Sequence, residues 1–160
     1  MRPIQIIVCG KSSHVAIGVK EGIRPAYEVL HFINSVEVGV RDLPFLLQEQ
    51  APPSQGWANL GTQRYGEKVG AVVAGGGYND ADFARLREAC EGKSRIPWLR
   101  HDISNEILLT QPKQNVGIEY GEQLSKQIVE VLGSLKKKNK MEEDGVYWFQ
   151  TEPAPRGSSE

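Results

Sequence analysis

Three clusters along this chain carry groups suited to holding an anion or moving a proton. The first is Gly10-Lys11-Ser12-Ser13-His14, directly after the apolar run Ile4 to Cys9. Where a strand feeds a helix in this way, the free N–H groups of the helix start attract anions. The second is Gly75-Gly76-Gly77-Tyr78-Asn79-Asp80, after Val69 to Ala74. Its glycines can make a permissive strand-to-helix turn with Asn79 or Asp80 as N-cap, or a backbone cradle for phosphate or carboxylate; the two roles are compatible. The third is Arg100-His101-Asp102, after Arg95 to Leu99. In open parallel sheets ligands bind beyond the carboxyl ends of the strands, so the three clusters are expected to converge there. Gly10, Ser12, Ser13, Asn34, Ser35, Gly75, Gly76, Gly77 and Arg100 are then candidate ligand-binding positions. His14 or His101 is the candidate base, with Tyr78 or Lys11 as acid or anion stabiliser.

The letters of the first cluster fit no established phosphate motif. A P-loop needs another glycine five residues before Gly10-Lys11-Ser12, and that position is Gln5. The dinucleotide fingerprint also fails, because the next glycine, Gly18, falls well inside the following helix, where it could let that helix approach a strand. An NAD site wants an acidic residue at the end of the second strand, and this chain has Asn34-Ser35 there. That pattern tolerates NADP, which is the first candidate cofactor. His31 reads as a satisfied sheet residue, and His14 as a neutral partner or base at a helix start. His101 and Asp102, adjacent on a strand, should point to opposite faces. Cys9 sits where a thiolate would be stabilised, although small buried cysteines are common in such strands. No histidine or cysteine spacing suggests a metal site.

The elements that must position these groups alternate. Pro3 to Cys9 reads as a buried strand, and Ser12 or Ser13 caps a helix through Glu21, with Gly22 as its stop. Tyr27 to Ile33 could be helix or strand, and its aromatic and β-branched content favours a strand. Ser35 caps a helix whose face is Val36, Val40, Leu43 and Leu47, with a kink or restart expected at Pro44 and Asp42 as a second cap. Gln50 to Glu67 has no periodicity and reads as a long loop. Val69 to Ala74 is a third strand, followed by a helix carrying Phe83, Leu86 and Cys90 that stops at Gly92. Arg95 to Leu99 is a fourth, with Pro97 near a sheet edge or strand start. The last helix runs from about Gly117 to Lys138 on the stripe Leu124, Ile128, Val131, Leu132 and Leu135. This β-α order predicts a Rossmann-like three-layer α/β/α sandwich with a mainly parallel sheet of about four to five strands.

The whole-chain numbers place this core in residues 1–140 of 160, with an aromatic segment and polar tail at 141–160. A net charge of −1, from 19 basic and 20 acidic residues, excludes nucleic-acid binding driven by electrostatics. The apolar runs are too short for a signal-peptide core or a membrane span, so a cytoplasmic protein with no membrane partner is expected. Two cysteines make no disulfide framework. Trp57 and Tyr147 to Phe149 are the candidate contacts of a homodimer.

The segments Tyr27 to Ile33, Ala71 to Tyr78, Pro97 to Arg100 and Asp144 to Trp148 resemble those of small fungal Rossmann-like proteins of uncharacterised function. The resemblance implies one compact domain and carries no activity. The reading is therefore a binder of a small anionic or nucleotide-like ligand at the strand ends. The alternatives are a cofactor-independent isomerase or lyase on a small metabolite, and a non-catalytic dimerising module.

Overall fold

A computed structural model describes residues 2–53, 59–103 and 117–150. Its strands are β1 (Ile4–Cys9), β2 (Tyr27–Ile33), β3 (Val69–Ala74), β4 (Pro97–His101) and β5 (Gly145–Phe149). The helices are α1 (Ser13–Gly22), α2 (Val36–Leu46), α3 (Asp80–Ala89) and α4 (Ile118–Lys137). All strands are parallel, in the order β2-β1-β3-β4-β5. This is a Rossmann-like three-layer sandwich in the doubly wound order, in which the direction of strand addition reverses between β1 and β3. The aromatic run Val146 to Phe149 packs back on the sheet as its fifth strand.

Alternation along the inner strands divides the core in two. Ile6, Val8, Ala71, Val73 and Leu99 face α1 and α4, while Ile7, Cys9, Val72, Ala74 and Trp98 face α2 and α3. Ser12, Ser35 and Asn79 cap α1, α2 and α3 by accepting from Val15, Val38 and Asp82 amides. Asn79 completes a capping box with Asp82.

Three local expectations are corrected by packing. Gly22 does not stop α1: it lies within the helix, and a Cβ there would overlap the Ser125 side chain of α4. Gly18 also serves a helix-to-helix contact rather than a strand, since its Cβ would overlap the Ile118 carbonyl and approach Gly121 Cα. α2 neither kinks into two nor restarts at Asp42; it runs through Pro44 in its last turn to Leu46. The Asp42 side chain is fully buried, with one carboxylate oxygen 3.0 Å from Arg41 Nε and Oδ2 without a hydrogen-bond partner among the described residues.

β2 is an edge strand, and residues 59–63 cover it. Thr62 and Gln63 amides donate to Val29 and Leu30 carbonyls at 2.8 and 3.0 Å. The Asn59 carboxamide substitutes for a missing strand, accepting from Phe32 N at 2.8 Å and donating to Phe32 O at 2.9 Å. Gln5, the one polar residue in the apolar run of β1, is buried here and satisfied by Thr62 Oγ1 and Glu28 Oε1 at 3.0 and 2.9 Å. Asn59→Ala leaves a backbone donor and acceptor of Phe32 unpaired, so chemical denaturation should show a loss of about 1–2 kcal/mol. An unchanged midpoint would show that water replaces the carboxamide freely.

Candidate functional site

The turn after β1 and the turn after β3 lie side by side at the strand-order reversal, tied by the Gly75 amide donating to Cys9 O at 2.8 Å. Between them a cavity of about 320 Å³ opens at the C-terminal sheet edge and descends between the sheet and the α1/α4 layer. Lys11, Ser12, Gly75, Gly76, Gly77 and His101 surround its mouth; Val15, Val19, Leu124 and Ile128 line its interior.

α1 begins at this mouth because Ser12 takes an extended conformation and its hydroxyl accepts from Val15 N at 3.2 Å. The amides of Ser13 and His14 lie N-terminal to that bond in the first turn, where the helix dipole places partial positive charge. Across the mouth, Tyr78 N donates to Gly75 O at 3.2 Å, closing a turn over Gly76 and Gly77. Neither middle glycine donates to a backbone acceptor among the described residues. Both glycines serve close approach: a Cβ on Gly76 would overlap Ile103, and one on Gly77 would lie 2.6 Å from Lys11 Cγ.

His101 is 5% exposed and stacks on Phe149 with ring centroids 5.1 Å apart at 13°. Tyr120 of α4 lies tilted beside it at 6.2 Å. Asp102, one residue further on, accepts from Gln150 Nε2 at 2.8 Å.

The structure thus brings together Gly10, Lys11, Ser12, Gly75, Gly76, Gly77 and His101 around one cavity. Other candidates lie elsewhere. Tyr78 is buried on the α2/α3 side, its hydroxyl 3.2 Å from Ile33 O and 3.3 Å from Gly10 O. Burial pushes its phenol well above the ordinary value, with nearby Cys9 adding to the effect. Tyr78 therefore ties three chain segments together, and Lys11 Nζ rests 4.9 Å above its ring. Arg100 points away from the cavity, sandwiched between Phe83 and Trp148 at 4.4 and 4.3 Å and paired with Asp80 at 2.9 Å. Ser13 and His14 have exposed side chains outside the cavity lining. Asn34 is exposed, and Ser35 spends its hydroxyl on the α2 cap.

Cys9 is fully buried, and desolvation raises its thiol far above the usual range, with Cys90 adding repulsion. Cys90 is likewise pushed up to about 12 by burial. The thiols are therefore protonated at neutral pH.

His31 sits apart, re-aimed by a bulge at Leu30, where Ile6 pairs with Val29 but Ile7 pairs with His31. Its Nδ1 lies 2.7 Å from Tyr65 Oη. Burial lowers its pKa, with the Asp42 carboxylate acting in the opposite sense. The unfolded chain therefore binds this proton more readily than the folded one. His31's contribution to stability is full above about pH 6.5 and is lost as pH falls through its folded pKa. A melting series from about pH 7.5 to about pH 5 should show that decline, and His31→Gln should flatten it. Parallel profiles for both proteins would remove His31 as the cause.

The apolar lining was invisible as a site from sequence. Leu124 and Ile128 read as a core stripe, and Phe149 as a tail aromatic, because cavity walls and close-packed core use the same residue types.

No protein-family model matches the chain, and no solved structure matches it. What fold and site define is a doubly wound α/β protein with an apolar cavity at its strand-order reversal. In sequence it is similar to a fungal protein, kojic acid related protein 6 of Aspergillus oryzae. The two are 28% identical over 148 residues, covering 91% of this chain and 86% of that protein. Among the described residues no helix is long and apolar enough to cross a membrane, and no cluster of three or more metal-ligating side chains occurs.

Proposed function

We propose that this chain binds a small anionic ligand at the C-terminal edge of its sheet. The anion is held between the first turn of α1 and the Gly75–Tyr78 turn, beside Lys11, and the rest of the molecule enters the cavity. The supporting observation is the cavity itself, which opens where the strand order reverses and is bordered by Ser12, the N-cap of α1, and by the glycines of the Gly75–Tyr78 turn. NADP is the first nucleotide to test. Kojic acid, the compound in the relative's name, is a small hydroxypyranone and belongs in the same panel. Acid/base turnover of a bound ligand would rest on His101, whose ring lines the cavity, rather than on exposed His14.

Native mass spectrometry of protein purified without added ligand is expected to show a retained small molecule. Calorimetric titration with NADP, NAD, nucleoside phosphates, kojic acid and simple carboxylates then ranks the classes. No retained mass together with no heat from any of them would sink this reading.

One observation favours a second reading, association through β5. The strand is at the sheet edge, and its Val146 and Trp148 are 39% and 53% exposed. Sedimentation of the full chain and of a Trp148→Glu variant would test it: a monomeric mass for both excludes this edge as a dimer contact. Trp57, the other candidate contact, lies outside the described residues.

A further inference from the structure

Below its mouth the cavity changes character. α1 and α4 both start at the C-terminal sheet edge and descend along the same face, so their inward residues form a slot running down the sheet. Val15 and Val19 follow one another on α1, Leu124 and Ile128 on α4, and Val8 and Val73 close the opposite side. Behind the slot the helices touch backbone to backbone at Gly18 and Gly121, so the space extends along the helices rather than between them. Among the described lining residues, the charged or titratable side chains are Lys11 and His101 at the mouth, Tyr120 just below it, and Cys9, whose thiol is packed in the α2/α3-side core. A ribose, a second phosphate or any other strongly solvated group would lose its hydration in the interior without gaining a side-chain partner among the described residues there.

We infer that the ligand is a single-headed amphiphile: a carboxylate or phosphate monoester whose straight apolar chain occupies this slot. The inference rests on the reading of the mouth as an anion site and adds the chemistry of what lies behind the anion. Ser12 to Val19 spans roughly 10 Å along α1, enough for an extended chain of about eight carbons. The aromatic collar of His101, Phe149 and Tyr120 surrounds the first carbons beyond the head, and the aliphatic walls surround the remainder.

The test is calorimetric titration of the full chain with straight-chain carboxylates from butanoate to tetradecanoate and with the matching alkyl phosphates. Affinity is expected to rise about fourfold per methylene and to level off at about eight to ten carbons. The head that binds more tightly at equal chain length identifies the anion. Ile128→Phe, which fills the floor, is expected to bring the plateau to a chain about two carbons shorter. The series on the unaltered protein decides the matter even where that variant fails to fold. Carboxylates or phosphates that bind with no dependence on chain length overturn the slot and leave the anion site standing. Absence of binding by every member of both series overturns both.

Discussion

Replacing Gly121 by alanine is expected to destabilise the protein by about 3 kcal/mol, at the upper end of the usual cost of overpacking. The methyl group would overlap the Val15 carbonyl of α1 and lie 2.9 Å from Gly18 Cα. Neither obstacle is a side chain that can rotate away. Relief therefore requires α1 and α4 to separate, and both carry core residues against the sheet. For a domain of this size the melting temperature should fall by about 6–12 °C. Gly133→Ala supplies the control. It lies on the same helix with nothing within 4 Å of its Cβ position, and relief from glycine's helix penalty should raise stability by up to about 1 kcal/mol. If both variants melt together, the close approach of α1 and α4 is not as tight as the structure has it.

Ser12→Asp is expected to separate binding from folding. Aspartate caps a helix about as well as serine and suits the dipole at α1, so stability should change by less than about 0.5 kcal/mol. The same carboxylate stands at the cavity mouth, where an anionic head would meet a like charge. At a partly screened separation of a few ångströms this costs about 2 kcal/mol, a loss of roughly 30-fold in affinity. Octanoate and octyl phosphate are the probes. Ser12→Asn, of the same bulk without the charge, should bind them at least about tenfold more tightly than Ser12→Asp. Equal affinity for the two variants would remove the anion from the start of α1.

Most of the strand and helix sequence, and with it the layered fold, was legible because β1 and β3 are nearly continuous apolar runs and α1, α2 and α3 each have a side-chain cap and an apolar face. β5 carries no such signal beyond its aromatics. The address of the site was legible too, since glycine-rich turns after β1 and β3 mark the carboxyl ends of parallel strands. Individual roles were less so. Tyr78 and Arg100 sit in clusters whose neighbours line the cavity, yet alternation along β4 turns Arg100 to the other face and the turn closed on Gly75 carries Tyr78 there. His101 differs from Arg100 by one position and points into the cavity for the same reason.

By itself the sequence determined local facts: where the first three strands end, which serines and asparagines cap, and that three polar clusters follow three apolar runs. These depend on residues within a few positions of each other, where propensity and periodicity act. Tertiary structure alone decided which side of the sheet each polar group serves. It also decided that Gly18 and Gly22 pack a helix against a helix, and that Leu124 and Ile128 border open space. Those outcomes depend on what residues distant in the chain bring to the same place. A leucine against another leucine and a leucine against a cavity carry the same letter.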